Sequence, residues 1–201
     1  MSARDEILGS IRQALADRTA AGNPEVPVPR GYRSLSAPDG LVDLFVDRVA
    51  DYRAVVTRCS AEEVADRVRE ALGGATRVVV APGLAYDVPG GVADEGQSAL
   101  ELDDVDAVVT EASVGIAITG TIVLEHGTGQ GRRALSLVPD LHVCVVRESQ
   151  IVPGVPDAIA ALDPHRAQTW ISGPSATSDI ELNRVEGVHG PRNLHVVVAA
   201  D

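Results

Sequence analysis

The sequence contains 201 residues, with 17 basic and 29 acidic side chains and a formal net charge of −12. All 17 basic residues are arginines, which excludes Schiff-base catalysis, a lysine general base and the phosphate-binding lysine of a P-loop. The acidic balance and an aromatic content of 2% also argue against binding to nucleic acid or to an anionic membrane surface, which requires basic side chains and, for single strands, stacking aromatics.

An amphipathic helix is predicted near the N-terminus, from about Ala3 to Arg18. Ser2 and Asp5 have the spacing of a capping box. Apolar residues then recur at helical intervals, at Ile7, Leu8, Ile11 and Leu15. Such an apolar stripe must pack on something, either its own domain or another chain. A proline-rich stretch without apolar periodicity follows at residues 22–38, and we interpret it as a linker.

The rest of the chain alternates between helical and strand-like segments. The predicted elements are a helix at 41–50, a strand at 53–57, a helix at 60–73, strands at 78–81, 105–110, 115–125 and 142–146, a helix at 155–162, and strands at 169–172 and 194–199. Alternation of this kind indicates a parallel sheet with helices on its faces, and the successive strands at 105–125 indicate hairpins or a mixed sheet. We therefore predict a helical arm and linker at 1–39 and an α/β domain at 40–201.

The composition also limits cofactors and compartment. Cys59 and Cys144 match no metal or redox spacing and cannot supply the roughly four ligands of an iron–sulfur cluster, so we expect two reduced thiols. The histidines show no metal-ligand spacing either. The sequence has no signal peptide and no apolar run long enough to span a bilayer. We expect a cytoplasmic protein that binds no metal or cofactor of its own.

A first candidate ligand site lies in the glycine-rich segments after the central strands, Thr119–Thr121 and Gly127–Arg133. Open α/β sheets place ligands after strands, glycines allow close backbone approach, and free N–H groups and arginines bind anions. Gly129–Ala134 also fits a dinucleotide-binding pattern, but its position in mid-chain argues against that function. The alternative is a hairpin turn with a solvated basic corner. The candidate residues are Thr119, Gly120, Thr121 and Arg132.

A second candidate site lies in the polar segments Ile171–Glu181 and Gly187–Arg192. Ser178 and Glu181 form a capping box that predicts a helix start, whose N–H groups would favour a carboxylate or phosphate. The candidate residues are Gly173, Ser175, Thr177, Asp179, His189 and Arg192. The alternative is a long structural loop whose polar groups satisfy its own backbone.

Other titratable residues carry no distinguishing motif. Glu111 and Glu125 cannot be told from surface acids by their local sequence. His142 and His195 begin predicted strands and are interpreted as hydrogen-bonded structural residues. His126 adjoins the first glycine-rich stretch.

Several of these segments resemble the LUD-domain family of lactate-utilisation proteins, the LutC (YkgG-like) group. The similar segments are Ala3–Leu8, Gly115–Leu124, Leu137–Val143, Ile171–Ser175, Ser178–Glu181 and Gly187–Arg192. The resemblance covers nearly the whole chain, and the last two motifs together are its most specific part. One position departs from the pattern, because Ile118 stands where the family usually has an acidic residue. If that carboxylate is functional, it is lost here or replaced by Glu111 or Glu125; if the position is structural, isoleucine is harmless in a strand.

The resemblance implies a Rossmann-like α/β sheet related to the NagB/RpiA/CoA-transferase fold group. It also implies an accessory role in the oxidation of L-lactate to pyruvate, beside an iron–sulfur subunit and a cysteine-rich subunit. It supplies no catalytic residues to carry over. The alternatives are a free-standing CoA-transferase-like or sugar-phosphate-isomerase-like enzyme, and a ligand-sensing module that acts through another protein.

Within the leading hypothesis the candidate residues have separate roles. A small carboxylate or nucleotide-like anion would lie between Thr119–Thr121 and Ser175–Arg192. Thr119, Thr121, Ser175 and Thr177 would donate hydrogen bonds to it. Arg192 would be its charge partner, and His189 would act as an acid or base. The N-terminal helix would dock the partner subunits.

Overall fold

The computed structural model describes residues 3–20, 29, 31–32, 39–174 and 190–201. The chain divides into two compact units, residues 1–32 and residues 33–201. The predicted domain boundary at 39/40 stays a prediction. The predicted Ser2 cap and the Ser178–Glu181 capping box lie outside the described residues.

The first unit contains the predicted N-terminal helix, α1 (Ala3–Ala20). Asp5 and Glu6 occupy its first turn, where negative charge interacts favourably with the helix dipole. Its apolar stripe is exposed, with 60% of Ile7 and 49% of Ile11 accessible to solvent. Among the described residues, no helix combines the length and the apolar character needed to cross a bilayer.

The described part of the second unit contains ten strands and four further α-helices. The helices are α2 (Leu41–Asp51), α3 (Val64–Leu72), α4 (Ala99–Asp103) and α5 (Val155–Ala161). The strands are β1 (Val55–Cys59), β2 (Val78–Val80), β3 (Gly91–Ala93), β4 (Ala107–Glu111), β5 (Val114–Ile116), β6 (Thr121–Leu124), β7 (Leu141–Arg147), β8 (Ile151–Val152), β9 (Thr169–Ile171) and β10 (Asn193–Ala199). Short 3₁₀ segments lie at Ala61–Glu63, Arg133–Ser136 and Glu148–Gln150.

Six strands form the main sheet in the order β1-β10-β7-β4-β2-β3, and every neighbouring pair is parallel. Its central strands are valine-rich and almost completely buried, as expected for a sheet covered on both faces. The predicted α/β class with a mostly parallel, Rossmann-like sheet is therefore confirmed. A second sheet has the order β8-β5-β6-β9, in which β5 and β6 form an antiparallel hairpin. A mixed sheet or hairpins were predicted for residues 105–125. The hairpin lies within the predicted strand 115–125, which the turn at Gly120 divides into β5 and β6, whereas β4 belongs to the parallel main sheet.

The two sheets and the helices form stacked layers. Val64, Val68 and Leu72 of α3 pack on one face of the main sheet. The other face packs against the second sheet and α2, through side chains that include Phe45, Val49, Ile122, Leu124, Val146 and Val196. On its far side the second sheet packs against Ala158 and Leu162, which belong to and follow α5.

Local signals explain where several elements begin and end. The Ser60 N–H donates to the Glu63 carboxylate at 3.0 Å, which caps the 3₁₀ turn that leads into α3. Gly73, with a φ of 54°, follows the last residue of α3. The predicted strand at 53–57 begins two residues later, because Arg53 has a φ of 65° that no strand residue adopts. The short elements β3, α4 and β8 were not predicted.

Candidate functional site

A cleft in the second unit has a volume of about 710 Å³. One wall is the segment 168–174, which contains β9 at the edge of the second sheet. The opposite wall includes Arg133, Ser136, and His142 and Leu194 at the amino ends of β7 and β10. The cleft therefore lies at the amino ends of these strands, whereas ligands of open α/β sheets usually bind at the carboxyl ends.

A chain of three hydroxyl groups reaches this cleft. Thr119 Oγ1 lies 2.8 Å from Thr121 Oγ1, which in turn lies 2.8 Å from Ser172 Oγ. Ser172 lines the cleft. At the other end of the chain, Thr119 lines a smaller pocket of about 370 Å³, together with α2 residues and the exposed side chain of Ile118. The hydroxyl groups thus connect two cavities.

Two glycines hold the hydroxyl chain against α2. Gly120 forms the tip of the β5–β6 hairpin with a φ of 58°, and a Cβ there would lie 2.6 Å from the carbonyl carbon of Arg48. Gly173 has a φ of 85°, and its Cβ would lie 2.9 Å from Cβ of Tyr52. Both positions combine a left-handed backbone with a close contact, so only glycine fits without strain.

The consecutive arginines after the first glycine-rich loop have different environments. The guanidinium of Arg132 donates to the carboxylate of Asp94 at 2.8 and 3.0 Å and to the carbonyl of Gln97. These hydrogen bonds hold the pKa of Asp94 below its usual range. Arg133 is exposed and lines the cleft, and its guanidinium forms no ion pair with any residue in the described ranges 39–174 and 190–201.

Arg192 forms an ion pair with Asp140. Asp140 lies directly before β7, and the ion pair raises the pKa of Arg192. Its neighbours Gly190 and Pro191 line the cleft. The residue itself is not among the lining side chains.

The structure therefore brings together only part of the predicted site. Thr119, Gly120, Thr121 and Gly173 meet around Ser172 at the edge of the cleft. Arg132 and Arg192 form ion pairs with Asp94 and Asp140. Ser175, Thr177, Asp179 and His189 lie outside the described residues.

The cleft also contains residues that were not selected from the sequence. Ser172 lies inside a motif that resembles the family, and Arg133 lies in the glycine-rich segment whose paired arginines were expected to supply positive charge, although neither was among the named candidates. Trp170, the single tryptophan of the chain, and Gln168 had none. His142, interpreted as structural, is buried with its Nε2 2.8 Å from Thr110 Oγ1, and burial lowers its pKa to about 4. It is a neutral part of the wall at neutral pH.

Two backbone donors of the loop at Gly127–Gly131 form hydrogen bonds within the domain. The Gly129 N–H donates to the carbonyl of Pro82 at 2.8 Å, and the Gln130 N–H donates to the carbonyl of Gly127 at 3.1 Å. The segment after the dinucleotide-like pattern is a short 3₁₀ turn rather than a helix. This loop therefore packs at the carboxyl ends of β2 and β4 as a structural element.

The candidate carboxylates of Glu111 and Glu125 accept hydrogen bonds near that loop. Glu111 accepts a hydrogen bond from the Ala85 N–H at 3.2 Å. Glu125 accepts from the Asp163 N–H at 2.6 Å, and the Ser113 hydroxyl lies within donating distance of its other oxygen at 3.0 Å. Neither carboxylate contacts the hydroxyl chain.

Metal-ligating residues do not cluster in the part of the chain that the structure describes, where no group of three histidine, cysteine or acidic side chains could hold an ion. Cys59 and Cys144 are free thiols. Cys144 is buried in the core, and burial raises its pKa to about 12. The expected reduced state of both cysteines agrees with the structure.

The chain was compared with known proteins and structures. A family model described as LUD domain matches residues 44–199. A protein named Lactate utilization protein C from Deinococcus radiodurans is 47% identical over 98% of this chain and 95% of its own length. A second protein of that name, from Halalkalibacterium halodurans, is 34% identical over 53% of this chain and 50% of its own length.

A solved structure confirms the likeness in three dimensions. It belongs to a DUF162 family protein from Deinococcus radiodurans, has a TM-score of 0.67 and is 40% identical in sequence. The match covers 86% of this chain and 99% of the other. Family model, full-length relative and fold agree with the resemblance found in the sequence motifs, and the chain belongs to the LUD domain family.

Proposed function

We propose that this protein acts in lactate utilisation as an accessory subunit of a complex that oxidises L-lactate to pyruvate, and that it binds a small anionic ligand. The observation that carries the proposal is the 47% identity, over 98% of the chain, with a protein named Lactate utilization protein C. The predicted membership of the NagB/RpiA/CoA-transferase fold group belongs to the same proposal, supported by the parallel main sheet between helical and mixed layers.

The cleft supports the ligand-binding part of the proposal. Arg133 supplies a fixed positive charge that no described carboxylate neutralises, and its fork of donors matches a carboxylate. Ser172, at the end of the hydroxyl chain, supplies a second donor on the opposite wall. The exposed carboxylate of Asp103 also lines the cleft and repels additional negative charge, so we expect anions of low charge to bind best. Ser175, Thr177, Asp179 and His189 remain proposed ligand contacts.

The redox part of the reaction requires partners. Oxidation of lactate to pyruvate removes two electrons and two protons, and the two cysteines of this chain are too few for an iron–sulfur cluster. We propose that an iron–sulfur subunit and a cysteine-rich subunit accept the electrons, and that the exposed apolar stripe of α1 docks one of them. The complex would act in the cytoplasm, where free thiols such as Cys59 and Cys144 stay reduced.

Ligand binding can be measured through Trp170, because this single tryptophan lines the cleft. We expect saturable changes in its fluorescence when the purified full-length chain is titrated with L-lactate or pyruvate, with the same affinities by isothermal titration calorimetry. Sodium chloride at equal ionic strength serves as the control. Lack of saturable binding of either acid would remove the ligand-binding part of the proposal.

The assembly is tested separately by co-purification. A tagged chain expressed in lactate-grown cells of the source organism should bring down an iron–sulfur protein, identified by its absorbance and by mass spectrometry. A tagged chain that is isolated alone from such cells would contradict the accessory-subunit role, whatever the ligand titrations show.

The alternative of a free-standing transferase or isomerase is not favoured. It requires a free carboxylate beside Thr119–Thr121. Glu111 and Glu125 are hydrogen-bonded elsewhere, and Asp51, which lines the smaller pocket with Thr119, pairs with Arg48 at 3.4 Å. Ile118, in place of the acid usual in the family, adds no carboxylate at the hairpin tip.

A further inference from the structure

The three hydroxyl groups between the two cavities have three hydrogen atoms but form only two hydrogen bonds with one another. Thr119, Thr121 and Ser172 contribute one hydroxyl hydrogen each, and two of these hydrogens occupy the two contacts of 2.8 Å. The third hydrogen must point elsewhere. The direction of the hydrogen bonds among the three hydroxyl groups therefore decides which cavity receives a hydrogen-bond donor.

The middle hydroxyl cannot hold the spare hydrogen without a penalty. Thr121 is only 5% exposed, and the described residues offer its Oγ1 no partner besides the two neighbouring hydroxyls. If both neighbours donated to Thr121, its own hydrogen would be buried without an acceptor. The hydrogens must instead all point in one direction, either from Thr119 towards Ser172 and the cleft or from Ser172 towards Thr119 and the smaller pocket.

We propose that Thr121 is a positioning residue, which directs the Ser172 hydroxyl hydrogen into the cleft to meet the carboxylate of the bound ligand. This inference rests on the proposed ligand site at Arg133 and Ser172. When an anion accepts from Ser172, the Ser172 oxygen accepts from Thr121 and the Thr121 oxygen accepts from Thr119. Each donated hydrogen bond polarises the next, so the chain strengthens the terminal bond to the anion.

The geometry also explains why the sequence places a threonine at this point of β6. Thr121 faces Ile116 in the hairpin register, in a strand whose other residues are apolar and buried. A valine would pack equally well in such a strand. The hydroxyl of Thr121 is therefore retained for its contacts with Thr119 and Ser172 rather than for packing.

The test is a double-mutant cycle on the affinity for pyruvate, measured by isothermal titration calorimetry with the full-length chain. Ser172→Ala removes the terminal donor and should raise the Kd about tenfold. Thr121→Val keeps the shape but removes the hydroxyl, and should raise the Kd about threefold. The double variant should match Ser172→Ala alone, because Thr121 acts only through Ser172. Thr121→Ser keeps the hydroxyl and should restore the wild-type Kd.

The outcomes separate the inference from the proposed function. Two results would overturn the inference while leaving the ligand site intact. One is a wild-type Kd for Thr121→Val, and the other is a double variant whose increase in Kd equals the product of the two single increases. A wild-type chain that does not bind pyruvate overturns both. Should Thr121→Val fail to fold, Thr121→Cys replaces it, because a thiol is a weak donor of similar size. Thr121→Cys with the same Kd as Thr121→Ser then counts against the inference.

Discussion

Arg132 and Asp94 form a two-point ion pair, with guanidinium nitrogens 2.8 and 3.0 Å from the carboxylate oxygens. The pair connects the segment after the glycine-rich loop to the end of β3, and the same guanidinium binds the carbonyl of Gln97. The next residue, Arg133, begins the 3₁₀ turn and lines the cleft instead. Of two adjacent arginines, one therefore pairs with Asp94 and the other lines the cleft.

Substitution of each arginine should separate these roles. Arg133→Ala should weaken pyruvate binding about tenfold or more without changing the melting temperature, because an exposed guanidinium that pairs with no carboxylate in the described ranges contributes little to folding. Arg132→Ala should lower the free energy of unfolding by about 1–2 kcal/mol, because the mostly buried Asp94 carboxylate loses its partner while Arg132 itself is partly exposed to solvent.

Thermal unfolding and calorimetric titration of both variants measure the two effects. Arg69→Ala, on the exposed surface of α3, is a control for the loss of one positive charge. Equal losses of affinity for Arg133→Ala and Arg69→Ala would show that net charge, rather than the cleft, determines binding.

The main sheet could be predicted because its signal is local. Runs such as Val78–Val79 and Val143–Val146 are buried on both faces, and continuous apolar runs rich in β-branched residues indicate such strands. The elements that escaped prediction, β3, α4 and β8, have three, five and two residues. Elements of this length contain too few residues to repeat a period of hydrophobic residues, so their conformation is fixed by their neighbours in the fold.

The candidate site depends on contacts that no local pattern contains. The contact between Thr121 and Ser172 joins residues 51 positions apart, although both lie in segments that the sequence selected. Arg132 rather than Arg133 was named as a ligand-binding candidate, because the sequence does not show that Arg132 forms an ion pair with Asp94, 38 positions away. The same reason applies to Arg192, whose partner Asp140 lies 52 positions away. Residue type and spacing identified the loops, and tertiary contacts decided which side chains remain available.

Gly120 should not tolerate a side chain. Gly120→Ala would place its Cβ 2.6 and 2.7 Å from the Arg48 carbonyl carbon and oxygen, at a φ of 58°. We expect the free energy of unfolding to fall by about 2–3 kcal/mol, because α2 must move away from the hairpin and alanine is strained in this conformation. Urea unfolding measures the effect. Gly74→Ala, where a Cβ would meet no atom within 4 Å, is the control and should change stability little; similar losses for both variants would contradict the proposed close contact.

His142 should make the folded state sensitive to mild acid. Burial lowers the pKa of folded His142 to about 4, below its ordinary value of 6.5, so between these values the unfolded chain binds a proton that the native chain does not. The stability present at pH 7 is therefore lost as the pH falls from 6.5 towards 4. Between pH 7 and pH 5 the wild type should lose about 2 kcal/mol more than His142→Asn, in which this group cannot titrate.

The difference between variants isolates this residue, because burial also lowers the pKa of His195 and adds a loss of the same sign. Urea unfolding at both pH values is the measurement. His165→Asn, at an exposed position, should behave as the wild type. A wild-type loss that His142→Asn fails to reduce would contradict the buried neutral state of His142.

The exposed stripe of α1 should be required for assembly and dispensable for the fold. Ile7 and Ile11 are about half or more exposed, and burial of this remaining surface against a partner would stabilise the complex by about 1 kcal/mol for each side chain. The double substitution Ile7→Asp and Ile11→Asp should abolish co-purification of the iron–sulfur partner from lactate-grown cells, while leaving the affinity for pyruvate unchanged. The matched control is Gln13→Asp with Ala16→Asp, which adds the same charge on the other side of the helix. If both double variants lost the partner equally, added charge rather than the apolar stripe would be responsible, and α1 would not be the docking arm.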